Sequence, residues 1–374
     1  MKIAFYCPMK PIDHVLPSGD RLIPKDLYEY LIKNGYEAFI LSSFRTLFFH
    51  KKTIRYIVLY LPYHFLKSLI MVLKEKPDIF LSYHVKRVTP DFLGPLLSAI
   101  MKKPYYIFDG NDSVSDHNQL NSRIARYSTK YAFSNVVRIF LNRTNAFQAM
   151  AKNVGVDRVC YVKPSINIDD YKEYSCTTVQ ERYQIDNNVP IISSCAMCRT
   201  GRKAESIRFL IDCLERLKSK SIKFVWIHAG GSGEFENLKD YAKTKLGDIA
   251  IMPGIMEEND VHALMEASDV FAFPGINEVL GMVYLEAQYY QTPVVAFDNG
   301  GINEVVKNNI TGFLVPPMDI DAYVNAIETL LSDHELRLDM GREAKKSVIN
   351  DHDINKNYQI ILDVLKTSHH SFDC

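Results

Sequence analysis

Residues 269–301 read DVFAFPGINEVLGMVYLEAQYYQTPVVAFDNGG, and this stretch carries the pattern of a strand, a loop, a helix and a second strand. Its apolar runs predict one strand that ends near residue 274 and another over 293–297. The residues between them predict a loop over 275–280 and a helix over 281–290. Two strands joined through a helix lie parallel in one sheet. The stretch therefore predicts an α/β fold.

Two glutamates, Glu278 and Glu286, lie in this stretch, the first in the loop and the second in the helix. Glu286 is about five residues into the helix, which is roughly 7.5 Å along its axis. The unpaired N–H groups of the helix N-terminus, around Gly281, Met282 and Val283, form an anion site between the two carboxylates. A phosphate there, with two carboxylates to accept hydroxyl groups, suits a nucleotide-sugar. A favourable interaction with the helix dipole explains the glutamates equally well.

The string NEVLGMVYLEAQYYQTPVVAFDNGGINEVV, which starts at residue 277, resembles the E-x7-E signature of retaining glycosyltransferases of family 4. The resemblance extends to DVFAFP before the string and to TGFLVPP after it. It implies the GT-B fold, with two Rossmann-like doubly wound domains facing each other across a cleft and a C-terminal helix that crosses back to the first domain. It also implies transfer of a sugar from a UDP-sugar or GDP-sugar, with retention of configuration and with no cofactor.

The rest of the sequence alternates short apolar strands with helices, as an α/β fold requires. Strands are predicted over 2–7, 37–42, 79–83, 105–108, 159–164, 190–195, 223–228, 249–253, 269–273, 294–297 and 312–315. The clearest helices are predicted over 22–34, 206–218 and 352–366. A polar, irregular segment after residue 164 marks the domain boundary. We expect an acceptor domain over 1–168, a donor domain over 169–350 and a returning helix over 351–374.

The 374 residues have no net charge, but the charge is unevenly distributed. Residues 1–170 hold 24 Lys and Arg against 14 Asp and Glu, whereas the remainder holds 20 against 30. A basic first half indicates a surface that meets anions, such as anionic lipid or a phosphorylated acceptor. Nucleic acid is not a predicted partner, since no nucleic-acid-binding module is visible.

Seven scattered cysteines fit a reduced, cytoplasmic chain rather than a disulfide framework. Cys195 and Cys198 form a lone C-x-x-C, which without a second pair does not predict a zinc site. No D-x-D motif lies at a strand end, so no metal is predicted. The N-terminus, MKIAFYCPMKP, lacks the apolar core of a signal peptide.

Residues 44–76 hold seven Lys and Arg and one Glu, interleaved with aromatic and aliphatic residues. The longest uncharged run, 56–66, contains 11 residues, which is short of the roughly 20 that span a bilayer. The segment is predicted either to lie on an anionic membrane surface or to form a core helix with a basic outer face. The first alternative would make the protein peripheral on the cytoplasmic membrane face.

Two elements of the first half resemble functional parts of the family. The segment KPIDHVLPSGDR resembles a first loop that faces the donor diphosphate and the acceptor. This likeness implies a donor-binding role for Gly19 and acceptor-side roles for Ser18, Asp20 and Arg21, although one glycine in such a turn is often only structural. His84 matches a catalytic-site histidine that relatives place against the donor sugar, whereas a lone histidine is more often packed in a core.

The second half supplies the other resemblances. CRTGRKA, residues 198–204, resembles an element whose Arg and Lys hold the diphosphate during catalysis, which implies Arg199 and Lys203, with Arg202 as a rival to Arg199. An ordinary basic loop is the alternative. The resemblance further implies these donor contacts: Glu286 with the ribose, Glu278 with the donor sugar, Gly281, Met282 and Val283 with the diphosphate, and Gly254 and Ile255 with the base.

Two other functions remain open at this stage. A nucleotide-sugar 2-epimerase has the same fold and would act without an acceptor. A non-catalytic relative would only bind a nucleotide. The preferred prediction is a metal-independent glycosyltransferase that acts on an envelope glycan or a lipid-linked saccharide.

Overall fold

The computed structural model describes residues 1–13, 19–47, 51–111, 119–174 and 176–372. Contacts between residues divide the chain into two compact units. The first contains Met1–Lys163 and Ile354–Cys374, and the second contains Pro164–Asp353. The boundaries predicted after residues 168 and 350 differ from these by a few residues.

The first unit is built on a parallel sheet whose described strands run in the order β2-β1-β3-β4-β5-β6. The strands are β1 (Lys2–Tyr6), β2 (Glu37–Ser42), β3 (Ile79–Tyr83), β4 (Tyr105–Phe108), β5 (Val136–Leu141) and β6 (Val159–Tyr161). The helices between them are α1 (Gly19–Lys33), α2 (Lys51–Glu75), α3 (Gly94–Met101), α4 (Gln119–Asn135) and α5 (Thr144–Val154). Every residue of β3 and β4 is buried, as expected for a parallel sheet covered by helices on both faces.

The second unit repeats this architecture, with described strands in the order β12-β11-β10-β7-β8-β9, again all parallel. The strands are β7 (Ile191–Cys195), β8 (Val225–Ala229), β9 (Ala250–Gly254), β10 (Val270–Ala272), β11 (Val294–Phe297) and β12 (Gly312–Val315). The helices are α6 (Cys176–Tyr183), α7 (Arg202–Ser219), α8 (Phe235–Leu246), α9 (Glu258–Glu266), α10 (Met282–Tyr289), α11 (Ile320–Ser332) and α12 (His334–Asp351).

The C-terminal segment belongs to the first unit, as the returning helix of the predicted fold requires. Its helices are α13 (Ile354–Asn357) and α14 (Gln359–Phe372), so the prediction of one helix over 352–366 was wrong in its continuity. The break lies at Tyr358, whose carbonyl accepts the N–H of Ile361 in a tight turn. The Tyr358 ring is buried and packs against Tyr30 and Phe108, with centroid distances of 5.6 and 5.8 Å.

The basic segment over 44–76 is largely the long helix α2, and its residues 48–50 lie outside the described residues. One face of α2 packs on the sheet through Ile57 and Val72. The Ser68 hydroxyl also donates to the carbonyl of Leu41, 3.1 Å away. The stretch Arg55–Glu75 is long and apolar enough to cross a membrane by length and composition alone, and only a small part of it is buried. The apolar part of this helix is therefore longer than the uncharged run over 56–66 indicated.

Candidate functional site

In the second unit, Glu278 is held by the loop between β10 and α10. Its N–H donates to the carbonyl of Gly275 over 3.0 Å, and its carbonyl accepts the N–H of Gly301 over 3.3 Å. A Cβ on Gly300 would lie 1.9 Å from that carbonyl oxygen, so only glycine permits this approach. The sequence thus fixes the backbone that carries the Glu278 carboxylate.

The helix that follows begins with a bare N-terminus. Gly281 precedes the first turn of α10 in a left-handed conformation, with a φ of +67°, and supplies no side chain to cap it. The N–H of Tyr284 donates back to the carbonyl of Gly281 over 2.9 Å. The N–H groups of Met282 and Val283 precede the first intrahelical bond, so the geometry is compatible with the predicted anion site.

Lys203 extends from the first turn of α7 and forms an ion pair with the Glu278 carboxylate. Its ammonium also lies 5.0 Å from the centroid of the Phe273 ring, which fixes its direction further. The Ser206 hydroxyl, one turn along α7, accepts the N–H of Ile276 over 3.0 Å and ties the helix to the Glu278 loop. Two residues that the sequence assigned to different parts of the ligand therefore meet directly.

Glu286 lies on α10 as the fifth residue of the helix, as the sequence predicted. Burial raises the pKa of its carboxyl to about 7, and the charge of Glu258 adds to this effect. The pKa of the Cys195 thiol, at the end of β7, is raised to about 12. Burial and the charge of Glu286 raise it, and the charge of Lys203 offsets part of this rise. Glu286 and Lys203 therefore act on the same small region at the carboxyl end of β7.

Arg199 lies in the connection between β7 and α7, Arg202 is the first residue of α7, and both are exposed. Two hydrogen bonds hold this connection, from the N–H of Cys198 to Gly231 over 3.0 Å and from Glu234 to the carbonyl of Cys198 over 2.7 Å. The contacts support Lys203 as the cation nearest to Glu278 and leave the choice between Arg199 and Arg202 as a prediction.

Gly254 is the last residue of β9 and Ile255 follows it, and both lie beside the glycine turn that follows β8. The N–H of Gly230 donates to the carbonyl of Gly254 over 2.8 Å, and a Cβ on Gly231 would lie 3.0 Å from the Ile255 side chain. Ile255 is 63 % exposed. It thus presents an apolar surface at the carboxyl edge of the sheet, where ligands of parallel sheets bind.

In the first unit, the predicted β1–α1 loop is only partly described. Ser18 lies outside the described residues, and Gly19 and Asp20 begin α1. Arg21 donates from its Nε to the carbonyl of Ile12 over 3.1 Å. Arg21 therefore braces the connection after β1, and the acceptor-side roles of Ser18, Asp20 and Arg21 stay predictions.

His84 follows β3 in a left-handed conformation, with a φ of +65°, and is buried. Its Nδ1 lies 2.9 Å from Oδ2 of Asp109, which follows β4 and is also left-handed, with a φ of +57°. The Lys86 ammonium lies 3.0 Å from the same oxygen. Burial alone would raise the pKa of Asp109, but the charges of Lys86 and His84 outweigh it and hold the pKa well below its usual range.

Sequence reasoning missed Lys86, Asp109 and Arg143, the last of which lies 4.0 Å from the Asp109 carboxylate. The string YYIFDG, with an acid directly after an apolar strand, was the available signal for Asp109. The sequence held no such signal for Arg143, because β5 was not predicted and Arg143 was therefore not recognised as a residue near a strand end. Among the residues that the structure describes, no three His, Cys, Asp or Glu side chains cluster as metal ligands would.

Comparison with known proteins gives a consistent result. The sequence profile of the family "Glycosyl transferases group 1" matches residues 196–347, which hold the Glu278 loop, α7 and α10. The alpha-D-kanosaminyltransferase of Streptomyces kanamyceticus is 24 % identical over 267 residues, 68 % of each chain. A UDP-Gal:alpha-D-GlcNAc-diphosphoundecaprenol alpha-1,3-galactosyltransferase of Escherichia coli is 33 % identical over 106 residues, 28 % of this chain and 27 % of that protein.

Solved structures share the fold over almost the whole chain. Sucrose-phosphate synthase from Thermosynechococcus elongatus superimposes with a TM-score of 0.77 at 15 % identity, covering 99 % of both chains. HepE from Anabaena, solved in complex with UDP, gives a TM-score of 0.75 at 19 % identity, covering 98 % of this chain and 100 % of that one. Together with two parallel six-stranded sheets, these likenesses establish the GT-B fold. Residues 196–347 match the group 1 glycosyl transferases, and the chain is a glycosyltransferase.

Proposed function

We propose that the second unit binds the nucleoside diphosphate of a UDP-sugar. One observation carries this proposal: the Lys203–Glu278 ion pair, the bare tip of α10 and Glu286 come together at the carboxyl end of one parallel sheet. Two proteins that resemble the chain name UDP or a UDP-sugar in their descriptions, which favours uridine over guanosine. A GDP-sugar is the alternative donor.

Each donor contact has a distinct chemical role in this proposal. Glu286 accepts hydrogen bonds from the ribose hydroxyls, and Glu278 accepts them from the donor sugar. The N–H groups of Met282 and Val283 meet the diphosphate, and Lys203 neutralises the charge that develops on it as the glycosidic bond breaks. Either Arg199 or Arg202 adds a second cation. Gly254 and Ile255 border the base.

The proposed reaction breaks the bond between the anomeric carbon and the diphosphate oxygen and joins that carbon to an acceptor hydroxyl oxygen. The acceptor proton passes to the leaving diphosphate, so no separate general base is needed. In the family this front-face course retains the anomeric configuration, and we propose retention here. The roles that the family resemblance implies for His84 and Gly19 stay proposals.

We propose that no metal ion is required, because Lys203 and the tip of α10 supply the positive charge that a metal would otherwise provide. Dialysis against EDTA should leave both UDP binding and UDP release unchanged. Restoration of a lost activity by magnesium or manganese would contradict this part of the proposal.

We further propose that the protein acts in the cytoplasm on a saccharide or lipid-linked acceptor and lies on the anionic face of the membrane through α2. This helix exposes an apolar stripe whose members are separated by three or four residues, namely Tyr56, Leu59, Tyr63, Leu66, Ile70 and Leu73. The exposed cations Arg55, Lys67 and Lys74 flank the stripe. A basic helix with an exposed apolar face binds anionic lipid by burying the stripe and pairing the cations with headgroups.

A second copy of α2 is the rival occupant of this stripe, because spacings of three and four residues also suit a coiled coil. The flanking charges argue against it, since Arg55, Lys67 and Lys74 would face like charges across a parallel pair. Pro62 also lies within the helix and beside the stripe. The lipid surface is therefore the occupant that the charges favour.

An assay of UDP release tests the proposed reaction against the two alternatives. A panel of UDP-sugars is incubated with the protein, with and without saccharide or polyprenyl-phosphate-linked acceptors. Release that depends on an acceptor and yields a product with retained anomeric configuration supports the transferase. Release without acceptor, together with inversion at C2 of the sugar, identifies a 2-epimerase. Binding of UDP without turnover of any combination of UDP-sugar and acceptor identifies a non-catalytic relative.

A further inference from the structure

The carboxyl edge of the first unit's sheet carries a cluster of charged side chains, of which only His84 was assigned a role above. The four side chains come from the ends of three adjacent strands: His84 and Lys86 follow β3, Asp109 follows β4, and Arg143 follows β5. Side-chain exposures are 16 % for Lys86, 15 % for Arg143, 11 % for His84 and 7 % for Asp109. We call this set the edge cluster.

The charges of the edge cluster do not balance. Lys86 and Arg143 contribute two positive charges, and the single carboxylate of Asp109 stays ionised because its pKa is held well below the usual range. The two cations and one carboxylate therefore leave the cluster with a net charge of at least +1. An uncompensated charge that is largely removed from water is costly, and an anionic ligand lowers that cost.

The geometry of the cluster also favours an anion. Arg143 lies only at the limit of ion pairing with Asp109, at 4.0 Å, and among the described residues its buried Nε has no hydrogen-bond acceptor. Arg143 is also the residue that precedes α5, an 11-residue helix whose first turn receives no side-chain cap from it. The backbone strain at His84 and Asp109, both left-handed, is of the kind that persists where function requires it.

We infer that the edge cluster binds a phosphate group carried by the acceptor. A phosphate would receive charge-assisted hydrogen bonds from Lys86 and Arg143, while Asp109 keeps both cations and the His84 ring in position. This inference rests on the proposed function, because only a transferase needs an acceptor. It assigns that acceptor to the first unit. It narrows the acceptor to a phosphorylated class, either a soluble sugar phosphate or a polyprenyl phosphate lipid.

The test measures thermal unfolding of the full chain in inorganic phosphate at constant ionic strength, with chloride as the reference anion. All variants are made in a Lys203→Gln background, which removes the cation of the donor site. We expect phosphate to raise the midpoint of this background protein. Lys86→Gln and Arg143→Gln should each weaken phosphate binding about tenfold or more, because each removes a charge-assisted hydrogen bond.

Two further variants separate a binding role from a structural one. Lys130→Gln makes the same charge change at an exposed position of α4 and should keep the full phosphate response. Lys86→Arg keeps the charge and should keep most of it, even if the midpoint without phosphate falls. Equal responses in Lys86→Gln and its background, or no response in the background itself, would overturn the inference.

The source of the phosphate is tested with two probes, glycerol 3-phosphate and phosphatidylcholine vesicles with or without a polyprenyl phosphate. A Lys86-dependent response to glycerol 3-phosphate supports a soluble acceptor, whereas a Lys86-dependent gain in binding to the polyprenyl phosphate vesicles supports a lipid-linked one. UDP binding is measured separately and should depend on Lys203 and Glu286, not on Lys86. If the wild type does not bind UDP, the proposed donor site is wrong. The Lys86-dependent response to phosphate can still be measured in that case, so the two failures are distinguishable.

Discussion

At the residue scale, the site in the second unit consists of groups whose charge states depend on one another. Glu278 shares its ion pair with Lys203, and Glu286 lies close enough to the end of β7 to influence Cys195 together with that lysine. The resemblance of the sequence to the family motifs implied a role for Glu278, for Glu286 and for Lys203. It could not predict that Lys203 and Glu278 pair directly, because that contact joins residues on α7 and on the loop after β10.

The raised pKa of Glu286 predicts how nucleotide binding depends on pH. Ribose hydroxyls donate to the ionised carboxylate, so UDP affinity should fall as the pH drops through about 7, where the carboxyl takes up its proton. The terminal phosphate of UDP also takes up a proton in this range. The affinity of the wild type is therefore compared with that of Glu286→Gln at each pH. The variant should bind UDP about tenfold more weakly at pH 8 and lose the extra pH dependence. Calorimetric titration from pH 5.5 to 8.5 measures both.

The same pKa predicts an opposite effect on folding. The folded state holds the Glu286 proton up to about pH 7, whereas the unfolded chain releases it near the ordinary value of 4.5. Stability should therefore fall as the pH rises through this window, and Glu286→Gln should be more stable than the wild type at pH 8, by roughly 1–3 kcal/mol. Urea unfolding at pH 5 and pH 8 tests this. A variant that is less stable at pH 8 would contradict the account.

At the scale of elements, glycines decide where the functional side chains lie. A Cβ on Gly281 would lie 2.2 Å from the ring of Tyr284, and the residue has a φ of +67°. Gly281→Ala should therefore distort the first turn of α10, cost more than about 2 kcal/mol of stability and abolish UDP binding. Gly35→Ala is the matched control: its φ of +82° carries similar strain, but a Cβ there would meet nothing within 4 Å. Urea unfolding and UDP titration of both variants should show that only Gly281→Ala loses the ligand.

The strands were more predictable from sequence than the helices. Strands β2, β3, β4, β11 and β12 have the predicted bounds, because short apolar runs flanked by polar residues leave little choice. Strand β5 was missed because VVRIFL follows α4 without a turn signal and carries Arg138. Helix α2 was ambiguous because its outer face is as apolar as its inner one, and composition alone cannot distinguish a face that meets lipid from one that meets a core.

The exposed stripe of α2 predicts membrane binding that does not need the donor site. Leu59→Ser combined with Leu66→Ser should weaken sedimentation with phosphatidylglycerol vesicles at least tenfold, because both side chains are more than half exposed and would enter the lipid. UDP binding should not change. Val156→Ser, at an exposed apolar residue outside α2, is the control. A monomer in place of a wild-type dimer, with unchanged sedimentation, would show that a second copy covers the stripe instead.

At the scale of the whole molecule, two repeats of one α/β architecture carry different chemistry at the carboxyl ends of their strands. The second unit carries the residues of the family motif, which is why its site was visible in the sequence. The first unit gathers Lys86, Asp109 and Arg143 from positions spread over more than 50 residues, and only the sheet order brings them together. The sequence could therefore predict the class of enzyme and suggest a donor site in the second unit, but not the edge cluster.

The central claim is that the second unit binds the diphosphate of a nucleotide-sugar at Lys203, the tip of α10 and Glu286. Thermal unfolding of the full chain with UDP, GDP, ADP and CDP at matched concentrations tests it most directly, in the wild type and in Lys203→Gln. We predict that UDP raises the midpoint, with about 2.7 kcal/mol of added stability at 100 times its dissociation constant, and that Lys203→Gln loses most of this gain. No response of the folded wild type to any of the four diphosphates would contradict the account.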